Sequence, residues 1–196
     1  MAQAIFKDWF VDFGPVRRKQ EGASDPKAIM GGLVQDAARA AELAALFPDA
    51  FGDNALPMEW SQARIDTMLE LAYGKSLPKT ARKDGNIPVY GSGGINGCHH
   101  EALESGPGIV VGRKGTVGSL FWVQSNFFAI DTVFYVRPKA TYELNFIWFM
   151  LHRLGLQHMN TDAAVPGLNR ENVYRLEFPA APKSIRVQFA SFAGLL

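Results

Sequence analysis

The run from Ile87 to Ile130 constrains the fold more than any other part of the sequence. It reads IPVYGSGGINGCHH, then GPGIVVGRKGTVGSLFWV, then NFFAI. Short apolar runs rich in valine, isoleucine and aromatic residues alternate with glycine clusters, the pattern of β-strands joined by tight turns. Strands are predicted over 87–90, 109–112, 119–123, 127–130 and 132–136. Two of the intervening turns stand apart. Gly91-Ser92-Gly93-Gly94 follows the strand ending at Tyr90, and Arg113-Lys114-Gly115-Thr116 follows the strand ending at Gly112. Both put small or cationic groups at loop tips, where backbone can approach a ligand closely.

The flanking sequence is helical in pattern. Between Ala2 and Phe13, the residues Ile5, Phe6, Trp9, Phe10 and Phe13 recur at helical spacing. Their aromatic face must be buried, either on the chain's own core or on a partner helix. At the other end Ile185, Phe189, Phe192 and Leu196 follow a four-three-four spacing, as in a coiled-coil seam. The alanine- and leucine-rich stretch from Ala28 to Phe47 is predicted to be one helix. The apolar stretch from Tyr142 to Leu154 is predicted to be a buried helix. A short strand is expected to end near Tyr73, and 173–178 alternates as a last strand. The expected fold class is α+β: a twisted, mostly antiparallel sheet with packed helices, flanked by amphipathic helical stubs at both termini. Apolar stubs at both ends suggest a fragment, or a half-subunit that completes itself with a partner.

The chain has 196 residues, 47% of them hydrophobic and 20% charged, an ordinary globular profile. One cysteine, Cys98, leaves no internal disulfide and no multi-cysteine zinc site. With no leader pattern and no apolar run near membrane-spanning length, a cytoplasmic protein without membrane insertion is expected. The net charge is only +1, but it is unevenly spread. Eight acids and three bases lie between Ala23 and Ala72, against seven bases and four acids between Tyr73 and Arg137. The glycine-rich region is therefore locally basic, as phosphate binding would require.

No catalytic constellation emerges. Gly74-Lys75-Ser76 ends like a phosphate-binding loop, but the glycine needed five positions earlier is Leu69, and Pro78 follows at once. Gly91-Ser92-Gly93 lacks the Gly-x-Ser-x-Gly spacing of a nucleophile elbow. His99 and His100 are adjacent, hence on opposite sides if extended, and make a poor metal site. The remaining enzymatic alternative is a stand-alone nuclease or hydrolase using Cys98 with His99 or His100.

Several stretches together resemble the target recognition domain of the specificity subunit of type I restriction–modification systems. They are 87–97 (IPVYGSGGING), 106–119 (GPGIVVGRKGTVGS), 130–136 (IDTVFYV) and 160–173 (NTDAAVPGLNRENV). AIFKDWFVDFGPVR, 4–17, looks like the end of the family's spacer helix, and AALFPDAF, 44–51, like the link that follows it. One departure is clear. The family's entrance motif is Pro-x-Gly-Trp, and here Glu59 replaces the glycine in Pro57-Met58-Glu59-Trp60. The resemblance implies a spacer-helix end at 1–14, a helical connection at 15–56, a DNA target recognition domain at 57–182 and the start of a second spacer helix at 183–196.

It further implies a non-catalytic subunit that reads one half of a split target in double-stranded DNA. It would dock a methyltransferase (modification) subunit and, through the complex, a restriction subunit. No cofactor of its own is expected, S-adenosylmethionine belonging to the partner subunit, and no metal. Lys75, Lys79, Arg82, Lys83, Arg113 and Lys114 are the candidates for phosphate contact. Tyr90, Ser92, His99, His100, Arg113, Thr116 and Asn160 are the candidates for reading base edges. Ile5, Phe6, Trp9, Phe10, Ile185, Phe189 and Phe192 are the candidates for helix packing with a partner, including a homodimer that would read a palindromic site.

Overall fold

The computed structural model describes residues 1–139, 141–160 and 167–194. The elements in chain order are α1 (Ala2–Phe10), α2 (Gly14–Gln20), α3 (Pro26–Ile29), α4 (Ala37–Ala44), β1 (Ser61–Arg64), α5 (Ile65–Met68), β2 (Leu69–Tyr73), β3 (Ile87–Gly91), β4 (Gly94–His99), β5 (Gly108–Gly112), β6 (Leu120–Val123), β7 (Phe128–Ala129), β8 (Val133–Pro138), α6 (Leu144–Arg153), α7 (Arg170–Tyr174), β9 (Glu177–Ala180) and α8 (Lys183–Ala193). The class is α+β. The chain divides into two units, Met1–Ala63 with Glu177–Leu196, and Arg64–Leu176.

The first unit is organised by aromatic side chains from both ends of the chain. Ile5, Phe6, Trp9 and Phe10 of α1 and Ile185 and Phe189 of α8 are all buried. The Phe189 ring lies 5.4 Å from both Phe6 and Phe10, edge-on, and Trp9 meets Phe47 at 5.3 Å and Phe192 at 5.6 Å. These are the tilted and edge-to-face arrangements that aromatic quadrupoles favour. The side chains expected to form a seam with a partner thus face the unit's own interior, and only Phe192 of the seven is part-exposed. Leu196 lies outside the described residues.

The single helix expected over 28–47 is instead two short ones. Gly31 and Gly32 adopt φ of +64° and +68°, left-handed values that end α3. Asp36 then restarts the chain as a cap, its carboxylate accepting the Arg39 amide at 2.7 Å. Arg18 ties this region to α1 through a two-pronged pair with Asp8 at 2.9 and 2.7 Å and a bond to the Ile29 carbonyl at 2.6 Å.

Pro57-Met58-Glu59-Trp60 forms a turn closed by the Trp60 amide, which donates to the Pro57 carbonyl at 2.9 Å. Glu59 itself takes φ +69°, the left-handed conformation that costs a side-chain-bearing residue about 1–2 kcal/mol.

In the second unit a four-stranded antiparallel sheet, β2-β8-β5-β6, faces a three-stranded one, β4-β3-β7. Ala72, Val110, Val123 and Tyr135 from the first sheet pack with Tyr90, Phe127 and Ala129 from the second side. β5 is buried along its whole length, with Ile109 and Val111 on the face opposite Val110. Helix α6, which contacts β5, contributes the buried Phe146, Ile147, Phe149, Met150 and Leu151.

Two segments differ from the strands read in the sequence. The sequence from Gly94 to His99 is a strand, β4, paired with β3 from Gly91↔Gly94 to Ile87↔His99. The strand expected over 173–178 is the end of α7 followed by β9. Asn169 caps α7 by accepting the Glu171 amide at 2.8 Å, and the Tyr174 hydroxyl accepts the Leu71 amide at 2.8 Å. Those two bonds hold the segment in helical form against its alternating pattern.

Glu59→Gly is expected to stabilise the protein by up to about 1 kcal/mol, the strain relieved exceeding the entropy that glycine adds to the unfolded chain. A raised urea midpoint checks this; a lowered one would show that the Glu59 side chain contributes something the backbone strain does not reveal.

Candidate functional site

The glycine-rich turns converge at one end of the second unit. Gly112 ends β5 with no room for a side chain: a Cβ there would sit 2.1 Å from the Thr116 carbonyl oxygen and 2.3 Å from Ser119 Oγ. The loop 113–118 therefore folds back tightly. The Gly118 amide donates to the Gly112 carbonyl at 2.8 Å. The Arg113 and Lys114 amides both donate to the Thr132 carbonyl, at 2.9 and 3.0 Å.

The tip of the β3–β4 hairpin sits against this loop. Ser119 Oγ donates to the Ser92 carbonyl at 2.6 Å, and a Cβ at Gly115 would lie 3.3 Å from Ser92 Oγ. On the other side the Leu168 amide donates to the Arg113 carbonyl at 2.8 Å, and Gly167 bridges to Lys114. Residues 161–166 of the closing loop lie outside the described residues. Lys75 joins the same end, its amide donating to the Ala129 carbonyl at 3.0 Å.

A cation–aromatic group braces the cluster. The Arg113 and Arg170 guanidiniums each lie 4.7 Å from the centroid of the Tyr73 ring. Arg113 also donates to the Asp131 carbonyl at 3.2 Å. Contacts of this kind contribute about 0.5–1 kcal/mol each at exposed positions. Arg170 pairs with the Glu171 carboxylate at 3.3 Å. Among the described residues, no carboxylate pairs with Arg113, Lys114 or Lys75. The face thus carries three cations without carboxylate partners beside two glycine-rich backbone turns, an arrangement suited to a polyanion.

Of the twelve candidates from the sequence, Lys75, Ser92, Arg113, Lys114 and Thr116 come together here. Asn160 borders the group, but its Oδ1 accepts the Gly167 amide at 3.0 Å and so holds the closing loop. Tyr90 does not reach the face. It is buried between the sheets, with Phe121 at 6.0 Å and Phe127 at 6.2 Å, and burial raises its phenol pKa.

His99, His100 and Lys83 lie at the opposite end of the hairpin. Four residue steps of strand separate them from the tip, about 13 Å at the usual rise. His99 is buried, and its Nδ1 accepts the Lys83 amide at 3.1 Å. Arg82 braces the middle of β4 by donating to the Asn96 carbonyl at 2.8 Å, and Lys79 opens a short 3-10 turn, Lys79–Ala81. Sequence reasoning missed Tyr73 and Arg170. An aromatic immediately before Gly74-Lys75, at the end of a short apolar run, was the available signal for Tyr73. Arg170 follows the Asn169 cap as the first residue of α7, and nothing in the local sequence pattern marks it.

His99, His100 and Glu101 are a group of possible metal ligands, their atoms within 4.8 Å of one another. His100 meets His99 through Nδ1 at 3.4 Å and Glu101 through Nε2, also at 3.4 Å. The two contacts use different nitrogens of the His100 ring. Cys98 is exposed on the adjoining position of β4, where strand alternation turns it away from His99.

With this geometry in hand, the comparisons with known proteins place the chain. The type I restriction modification DNA specificity domain matches residues 57–192. The chain belongs to that family. Three solved structures share its fold. The type I restriction–modification system S subunit from M. genitalium aligns at TM-score 0.61 and 17% identity, over 70% of this chain and 38% of its own. A structure described as showing complex assembly and conformational transition of the type I R-M system aligns at 0.57 and 15% identity, over 79% and 42%. The HsdS subunit from Thermoanaerobacter tengcongensis aligns at 0.56 and 17% identity, over 98% and 48%. The chain spans less than half the length of each of these three chains. No curated protein sequence matches it. No helix among the described residues is long and apolar enough to cross a membrane.

His99→Ala is expected to cost about 1 kcal/mol of stability, by removing the acceptor of the Lys83 amide. Urea unfolding checks this, and an unchanged midpoint would show that the ring is not structural.

Proposed function

We propose that this chain is the sequence-reading component of a type I restriction–modification complex and binds double-stranded DNA through the loop end of its second unit. The observation that carries this is the convergence of Lys75, Arg113 and Lys114 around the Ser92 and Gly115 turns, within a DNA specificity domain family. Lysine and arginine there would neutralise phosphates and release counterions, which gives affinity and register. Sequence would be read by the groups presented between them, Ser92 and Thr116 among the hydroxyls.

In this reading the chain reads one half of a split target and has no catalysis of its own. Methylation would be done by a modification subunit carrying S-adenosylmethionine, and cleavage by a restriction subunit reached through the complex. The buried state of Ile5, Phe6, Trp9, Phe10, Ile185 and Phe189 argues that docking uses outward faces of the first unit rather than an aromatic seam. It argues equally against a homodimer built on those side chains.

DNA binding followed by anisotropy at several salt concentrations tests the proposal, with the modification subunit present and absent. Arg113→Ala and Lys114→Ala are each expected to weaken binding to all sequences and to flatten the log–log salt slope by about 1. Variants with wild-type affinity and slope would move the DNA face elsewhere on the molecule.

A further inference from the structure

Large apolar side chains are exposed at only two positions among the described residues of the second unit, Tyr73 at 48% and Ile95 at 60%. Both belong to the loop end that carries the cations. Tyr73 has a partner in its two guanidiniums. Ile95 has no such role. It stands one residue beyond the hairpin tip, paired in register with Tyr90.

Ile95 lies on β4, the outer strand of its sheet. β7 pairs with β3 only at Val89↔Phe128 and Tyr90↔Ala129, so the last pair of the hairpin, Gly91↔Gly94, is two-stranded. Ser92 and Gly93 carry almost no side-chain bulk, and a Cβ at Gly93 would meet nothing within 4 Å. The base of the tip is nevertheless fixed. The Ser92 carbonyl is held by Ser119, and Gly94 rests near the Phe121 ring, 3.4 Å from where its Cβ would be. A two-stranded ribbon is one of the two elements that the major groove, about 12 Å wide, admits. The loop that carries Arg113 and Lys114 lies beside the tip of this ribbon, Gly115 next to Ser92, where the phosphates bordering a groove would lie.

An exposed isoleucine next to a hairpin tip that abuts the cationic loop is poorly placed to bury against apolar protein, because the charges of that loop would be desolvated too. A DNA groove offers what this surface needs: anions at its rims and, on its floor, one strongly apolar group, the thymine C5-methyl. We propose that the β3–β4 hairpin enters the major groove and that Ile95 reads a thymine by packing on its methyl group. This rests on the DNA-reading function proposed above. It adds a residue, a groove and a base to that function.

The test begins with selection of the preferred duplex from a random pool, using the full chain with its modification subunit. Each thymine of the selected half-site is then replaced singly by uracil, which removes only the methyl. At one position the wild-type chain is expected to lose about three- to tenfold in affinity, the effect of one buried apolar carbon with its packing. Ile95→Ser is expected to bind the thymine and uracil duplexes equally at that position, while Ile95→Val keeps part of the preference. Unfolding midpoints of both variants should match the wild type, since the side chain is exposed.

A half-site without thymine, uracil substitution without effect at every position, or an equal uracil penalty in Ile95→Ser would each overturn the inference and leave sequence-specific binding standing. Failure to select any sequence would instead overturn the DNA-reading function itself.

Discussion

The close approach at the end of β5 is the constraint on which the site depends. The strand is buried on both faces, so its direction is fixed by the two layers that cover it. At Gly112 the following loop returns so closely that its carbonyl at Thr116 occupies the space of a side chain. Any larger residue would push the loop outward and take Arg113, Lys114 and Thr116 with it. Gly118 repeats the condition a few residues later: its φ is +70°, and the backbone of Leu156 and Gln157 lies 2.4 Å from its Cβ position. A rigid strand leading into a backbone-to-backbone contact gives loop residues the positional definition that recognition requires.

The charges are arranged on the same principle. Arginine is flexible and its entropy opposes a defined pose. Arg113 and Arg170 share the Tyr73 ring; Arg170 also pairs with Glu171, whereas among the described residues the charge of Arg113 has no carboxylate counter-ion. The basic residues at the other end of the hairpin are used differently. Arg82 supports β4 through the Asn96 carbonyl, and the buried His99 anchors Lys83 by its backbone. Residues of one chemical type thus divide into a presenting set and a supporting set according to whether their polar atoms are already engaged.

Much of the second unit was legible in the sequence because its strands are apolar runs cut by glycine. Ile109-Val110-Val111 and Val133–Val136 announce themselves in this way. β4 did not, because GINGCH has neither an apolar run nor alternation. It is an outer strand exposed from Ile95 to Cys98, so no burial shaped its composition. The alternation at 173–178 misled for the opposite reason: a capping asparagine and a tyrosine hydroxyl overrode a strand-like pattern. The helix expected over 28–47 was split by two left-handed glycines that helix propensity does not register. The aromatic ends of the chain could be recognised as needing burial, but the sequence had no means to tell an intramolecular partner from an intermolecular one. In the candidate site, composition located the basic region. Only tertiary structure separated Ser92, Arg113 and Lys114 from His99 and Tyr90, because that separation depends on position along a hairpin and on which polar atoms are already bonded.

Hydrogen exchange of the chain with and without its selected duplex is the most direct measurement of the central claim, that one end of the second unit is the DNA face. A DNA face at that end requires slowed exchange at residues 91–95 and 113–118, with residues 82–84 and 98–101 unchanged. Protection centred on 98–101, or on the first unit alone, would contradict it.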